Sequence, residues 1–225
     1  MINTNCVVLV GRNVPVYMVK TLSWLFIYDR PPSPHVIIRG IERTVIFRDD
    51  KDRDAFLDRL GGILLESSTP CYVWPLLSNH AHFLLRTGRI PTALVMRRLL
   101  TGYAVTFNRR YGRHGHLFQN RYKSILCDKD AYLQELVRYI HLNALRAGLV
   151  KDLGELGSYA YSGHCVLMGK KKRAWQDRDY VLRYFGQTER EAKLGISPSG
   201  VSKSIERAQQ ALWHEDIVEH LLESQ

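Results

Sequence analysis

The apolar residues Phe56, Leu57, Leu60, Ile63 and Leu64 recur every three or four positions. That spacing predicts a helix with one buried stripe, capped by Asp49-Asp50 and closing at Glu66. Upstream, His35-Val-Ile-Ile-Arg39 reads as a short strand behind the Pro31-Pro32-Ser33-Pro34 cluster, a strong break in any regular element. Cys71 to Leu77 and His82 to Arg86 have strand character and flank the Ser78-Asn79 turn signal, so they predict a hairpin. Pro75 cannot donate to a ladder and marks an edge or a bulge within the first of these strands. Pro91 suits the first position of a helix from about Thr92 to Arg110, with Leu99, Leu100, Tyr103 and Phe107 on its inner side. Tyr122 to Cys127 predicts another strand. Asp128 then caps a long helix through Ala147, and Gly148 stands where a helix end favours a left-handed residue. The order strand, helix, strand, strand, helix, strand, helix predicts an α+β chain of the ferredoxin-like split β-α-β type. An antiparallel sheet would carry helices on one face, with one helix added and a helical tail from Tyr180 onward. The divisions expected are an N-terminal extension over 1–34, the main domain over 35–168 and a tail over 169–225.

Composition adds a partner to this picture. Apolar residues make up 45% and charged residues 24% of the 225, a globular rather than a disordered balance. The net charge of +10 and pI of 9.6 favour a polyanionic partner, nucleic acid before an anionic membrane surface. Val14 to Tyr28 is apolar, but Lys20 interrupts it and it is short of a spanning length, so no membrane is expected. The start, Met-Ile-Asn-Thr-Asn, lacks the basic region and cleavage site of a signal peptide. The four cysteines, Cys6, Cys71, Cys127 and Cys165, form no C-x-x-C pair or zinc-spaced cluster, and read as reduced thiols of a cytoplasmic protein.

Four groupings carry candidate chemistry. His80-Ala81-His82 would project two imidazoles from one strand face, a pair of metal ligands. The alternative is two ordinary core or surface histidines, but the flank Phe83-Leu84-Leu85 seats the strand in a core. Tyr139 and Asn143 are four apart on a helix and share a face. Alone, that spacing means an interface tyrosine and a solvated amide. Set across a sheet from the histidines, it allows a divalent cation held by two imidazoles and an amide to polarise a phosphodiester while the phenol attacks phosphorus. His141 points off that face and reads as structural. The stretch from Arg97 to Lys123 holds Arg97, Arg98, Arg109, Arg110, Arg113, Arg121 and Lys123, with no acidic residue and with interleaved aromatics. Cations for phosphates and rings for unstacked bases suit single strands. Tyr103 and Phe107 are core in this reading, whereas His116 and Gln119 in the Gly115 loop belong to the binding surface. Finally, Gly195 to Ile205 carries Ser199, Ser202 and Lys203 in a pattern that fits either the reading half of a helix-turn-helix or a plain helical hairpin. Lys170-Lys-Lys-Arg173 is a solvated charge run.

Several of these segments, in this order, resemble the REP-associated tyrosine transposases of the HUH single-tyrosine superfamily. The landmarks are His35-Val-Ile-Ile-Arg-Gly40, Ile46-Phe-Arg-Asp-Asp50, Ser78-Asn-His-Ala-His82, Tyr103 to Arg110, Gly115 to Lys123, and Arg138-Tyr-Ile-His-Leu-Asn143 with Arg146-Ala-Gly-Leu-Val150. Ala144 departs from the proline usual after the asparagine, Leu77 replaces a common methionine, and residues before Pro34 match nothing in the family. The resemblance implies that His80, His82 and Asn143 hold Mg²⁺ or Mn²⁺ and that Tyr139 is the nucleophile forming a 5′-phosphotyrosine link. It implies short DNA hairpins or single strands as substrate, strand transfer without ATP, a monomer or homodimer, and a bacterial, cytoplasmic, nucleoid-associated location. The rival from another class is a non-catalytic nucleic-acid-binding module with an RNA-recognition-like fold, which requires aromatic residues on an open sheet face. No such run lies on the predicted strands. A relative that binds without cutting is the second rival, and all four active-site residues are present.

Overall fold

A computed structural model describes residues 8–9, 33–127 and 130–186. Its strands are β1 (Val8–Leu9), β2 (Ser33–Arg39), β3 (Cys71–Val73), β4 (His80–Leu85) and β5 (Lys123–Cys127). The helices are α1 (Asp50–Glu66), α2 (Thr92–Tyr111), α3 (Asp130–Arg146), α4 (Leu153–Ser158), α5 (His164–Leu167) and α6 (Arg178–Arg183). All pairings are antiparallel, in the order β1-β5-β2-β4-β3. Apart from β1, this is the ferredoxin-like order that the pattern of elements predicts.

Strand alternation sorts the chain into three layers. Val36 and Ile38 of β2 and Ala81, Phe83 and Leu85 of β4 face one way and are fully buried. There they meet Phe56, Leu57, Leu60 and Leu64 of α1 and Val95, Leu99, Tyr103 and Phe107 of α2. Phe56 lies edge-on to Phe47 at 5.1 Å and to Tyr103 at 5.0 Å, the favoured geometry for aromatic rings. The Tyr103 hydroxyl donates to the Ile46 carbonyl at 2.6 Å, so this buried phenol is satisfied. The opposite sheet face carries Val73 and Leu84, covered by Leu133, Leu136, Val137 and Ile140 of α3. Two helices therefore lie on one face and α3 on the other.

The local signals hold where the chemistry is local. The Asp49 side chain accepts from the Asp52 amide and opens α1. Gly148, with φ of 67°, closes the turn after α3. Pro75 disturbs its strand as expected, so the predicted strand to Leu77 is corrected. Regular pairing stops at Val73 after a register shift, and only bridges link Pro75 to Ser162 and Leu76 to Ala81. The partner strand is corrected in the other direction, starting at His80 rather than His82, so both histidines belong to it.

The packed unit also runs past the expected limits of 35–168. β2 begins at Ser33. At the other end Trp175 joins the α1/α2 core beside Trp74 at 5.2 Å. Gln176 accepts from the Trp74 indole at 2.8 Å and donates to the Tyr72 and Gly163 carbonyls. Tyr180 then stacks on Tyr72 at 4.2 Å. These contacts were not legible in the sequence, because α4 to α6 are too short to show a period. The segment holding Ser199, Ser202 and Lys203 lies outside the described residues.

Candidate active site

The register of β4 decides where its histidines point. His80, His82 and Leu84 share the α3 face, while Ala81 and Phe83 fill the α1/α2 core. Arg39 pairs with His80 and Ile37 with His82, and Ile37 pairs in turn with Lys123. One face thus carries Arg39 beside His80, and Lys123 in the row of His82, about 10 Å away across two strand spacings. The imidazoles lie 5.1 Å apart, centroid to centroid.

Both rings are anchored through Nδ1. His80 Nδ1 is 2.7 Å from Asn79 Oδ1. His82 Nδ1 is 3.1 Å from Nε2 of His35, whose ring lies edge to edge with it, centroids 5.3 Å apart and planes within 19°. Burial drives His80 down to about 4, helped by the Arg39 charge. Burial likewise holds His82 well below its ordinary value, with His35, His80 and Arg39 adding to the effect. His35 falls to about 3 through burial alone. All three are neutral at physiological pH, the state in which imidazole can ligate a metal.

Helix α3 supplies the other half. Leu133, Leu136, Val137 and Ile140 bind it to the sheet, and Tyr139, Asn143 and Arg146 follow at i, i+4 and i+7 along one stripe. The Tyr139 ring meets His82 edge-on at 6.2 Å, and the Arg146 guanidinium sits 5.2 Å from the phenol centroid. Burial raises the Tyr139 pKa, whereas Arg146, the Asn143 side chain and Arg39 pull it back. Asn143 is 5% exposed, and its Nδ2 lies toward the Tyr139 phenol without a hydrogen bond of full geometry, a costly state for a buried amide. A half-turn of the amide would present Oδ1 at the same spot. Among the described residues no three His, Cys, Asp or Glu side chains are grouped so as to hold one metal ion. Two neutral imidazoles and an amide, as a donor set, would suit a labile divalent ion held in part by substrate oxygens and not a closed structural zinc site.

With this geometry the chain matches a solved structure, that of a REP-associated tyrosine transposase bound to a REP hairpin, at a TM-score of 0.50 and 14% identity over 66% of this chain and 87% of that one. This chain shares the fold of a REP-associated tyrosine transposase. No protein-family model and no curated protein matches the sequence. The likeness to the transposase lies in the path of the backbone.

On the transposase fold the basic stretch divides. The loop carrying Arg113, His116, Gln119 and Arg121 runs beside the end of β2. There the Gln119 amide donates to the Arg39 carbonyl at 2.9 Å and the Ile41 amide to the Leu117 carbonyl at 3.0 Å. That edge needs Gly40, since a Cβ there would lie 2.1 Å from the Thr44 carbonyl oxygen. His116, Gln119 and Arg121 are exposed and next to the candidate site. Arg97 and Arg98, by contrast, line a groove of about 410 Å³ with Arg59 and Thr101 on the α1/α2 layer, across the sheet from the histidines. Arg98 is moreover paired with Glu66 at 2.6 Å. Arg109 is exposed on the last turn of α2. Arg110 bonds both Asp49 and the buried Asp52 at 2.5 Å, so its charge belongs to the fold.

This division predicts different behaviour for two cations of one stretch. Lys123→Ala should leave the melting temperature unchanged and make the salt dependence of DNA binding shallower by about one ion. Arg110→Ala should lower the melting temperature and leave that slope alone, because the residue lost was neutralising Asp52. Binding isotherms over a salt series, beside thermal melts, read both.

His35, Asn79, Arg39 and Arg146 escaped sequence reasoning as members of the site. Asn79 could have been suspected as the neighbour of His80, and Arg146 from its helical phase with Tyr139. His35 could not, because its contact spans 47 positions. His141 is buried away from the site, 5.2 Å from His164.

Proposed function

We propose that this protein is a metal-dependent single-strand DNA endonuclease and strand transferase acting on short hairpins through Tyr139. The observation that carries it is the approach of the Tyr139 ring to His82 with Asn143 one turn further along the same helix. His80, His82 and Asn143 would hold Mg²⁺ or Mn²⁺, which when bound polarises the scissile phosphate. The Tyr139 hydroxyl oxygen attacks phosphorus and forms the bond to the 5′-phosphate. The bond from phosphorus to the 3′-oxygen breaks, and the proton lost by the phenol ends on that oxygen as a free 3′-hydroxyl. Arg146 and Arg39 favour the attacking form by stabilising negative charge on the phenol oxygen. Attack of a 3′-hydroxyl on the phosphotyrosine reverses the step, so rejoining consumes no nucleotide. Lys123 and the Arg113–Arg121 loop would hold phosphates beside the cut.

The sheet face opposite α1 and α2 bears on the rival reading. An RNA-recognition-like platform would expose aromatic rings there, but β2 and β4 present His35, Ile37, Arg39, His80, His82 and Leu84, and α3 lies over part of it. The test uses a hairpin oligonucleotide with a labelled 3′ end. In Mn²⁺, protein and label should co-migrate as a denaturation-resistant adduct that EDTA prevents. Binding without an adduct would favour the non-catalytic module.

A further inference from the structure

The two contacts at Nδ1 constrain the protons of the histidine pair differently. The Asn79 amide N–H donates to the Arg43 carbonyl at 3.2 Å, which turns Oδ1 toward His80. An amide oxygen only accepts, so the proton of the neutral His80 ring sits on Nδ1 and Nε2 keeps a lone pair. Asn79 is itself braced, since its carbonyl accepts from the Gly40 amide at 2.9 Å. The contact between His35 Nε2 and His82 Nδ1 has two solutions. If His82 donates, its Nε2 can ligate. If His35 donates, the proton of the His82 ring sits on Nε2 and blocks it.

We propose that His35 is a positioning residue whose Nε2 accepts from Nδ1–H of His82, so that with Asn79 it sets both Nε2 lone pairs before a divalent ion arrives. The inference rests on the metal site of the proposed function. His35 is suited to the role by its place. It is 1% exposed, lies two residues from Ile37, the strand partner of His82, and is nearly coplanar with His82, the planes of the two rings differing by 19°, so that the two ring nitrogens face each other edge to edge. A ring clamped in that position can accept one hydrogen bond and leaves the other imidazole little freedom to rotate. A metal-ligating imidazole commonly has its second nitrogen held by such a partner, and losing the partner typically weakens the metal 10–100-fold.

The test compares the full chain with His35→Phe, which keeps a ring but no acceptor, and His35→Gln, which restores an acceptor. Nitrogen-15 correlation spectra of the imidazoles in metal-free protein should show His80 and His82 both protonated at Nδ1. His35→Phe should move His82 toward the Nε2–H form and weaken Mn²⁺ binding, followed by paramagnetic resonance, by about 10–100-fold. His35→Gln should recover most of that affinity, and metal-free hairpin binding should be the same in all three. An Nε2–H tautomer for His82 in the unaltered protein would overturn the inference, as would a folded His35→Phe variant with unchanged Mn²⁺ affinity. Should His35→Phe not fold, the tautomer of the unaltered protein decides alone. If the unaltered protein binds no Mn²⁺, the metal reading fails, while the spectra still decide which ring donates.

Discussion

Tyr139→Phe should abolish the covalent protein–DNA adduct and lower strand cleavage by on the order of 10⁴-fold or more, the scale on which loss of a nucleophile is felt. The substitution removes a single oxygen. The ring would still meet His82 edge-on and lie near Arg146, and α3 would keep its contact through Leu136, Val137 and Ile140. Mn²⁺ and hairpin affinity should therefore stay at the level of the unaltered protein. That combination separates a lost nucleophile from a damaged fold. Gel analysis of the adduct with the 3′-labelled hairpin, beside binding isotherms, measures both. Persistence of the adduct in the Phe variant would move the nucleophile to another side chain and remove the role given to α3.

The second large effect is on stability in acid. Five histidines have their pKa lowered by burial: His35 to about 3, His80 to about 4, His164 to about 4, and His82 and His141 well below 6.5. In the unfolded chain each would take up a proton near its ordinary 6.5. Above that pH the folded and unfolded states are equally neutral at these positions, and this part of the stability is complete. As pH falls below 6.5 the unfolded chain binds protons that the folded one refuses, and stability drops until the folded values are reached. Each histidine adds up to about 1.4 kcal/mol per pH unit to the slope. A fold of ordinary stability, about 5–15 kcal/mol, should therefore unfold between pH 6 and 4 in the absence of divalent metal. Denaturant titrations from pH 8 downward measure the slope. A stability independent of pH between 7 and 5 would show that these rings are not held neutral in the folded protein.

The pair His141 and His164 offers a check away from the candidate site. Their rings lie 5.2 Å apart, and His141 has no hydrogen-bond partner at either nitrogen. Replacing His141 with leucine should flatten the acid slope by about one proton and leave Mn²⁺ binding unchanged.

Reading the chain in order recovers α1, α2 and α3 almost to the residue, because each is long enough for apolar side chains to repeat on one face. The H-x-H pair was legible for the same reason, since alternation in a strand puts residues two apart on one side. Strand limits were harder. Pro75 announced an interruption, but its own bridge goes to Ser162, far along the chain, which no local pattern shows. The basic stretch was legible as charge and illegible as function. Arg110 carries the same formal charge as Lys123, and only the carboxylates 58 and 61 positions away show that it serves the fold.

By itself the amino-acid order determined the kinds of elements, their sequence along the chain, and which side of each element would be apolar. Those properties follow from backbone geometry, where side-chain direction repeats every two or 3.6 residues regardless of what lies opposite. Only the tertiary structure decided that His35 would hold His82, that Tyr139 would meet that ring, and that Trp175 and Gln176 would close the domain against Trp74. Such contacts depend on strand register and on how layers pack, and both are settled by the burial of the whole chain at once.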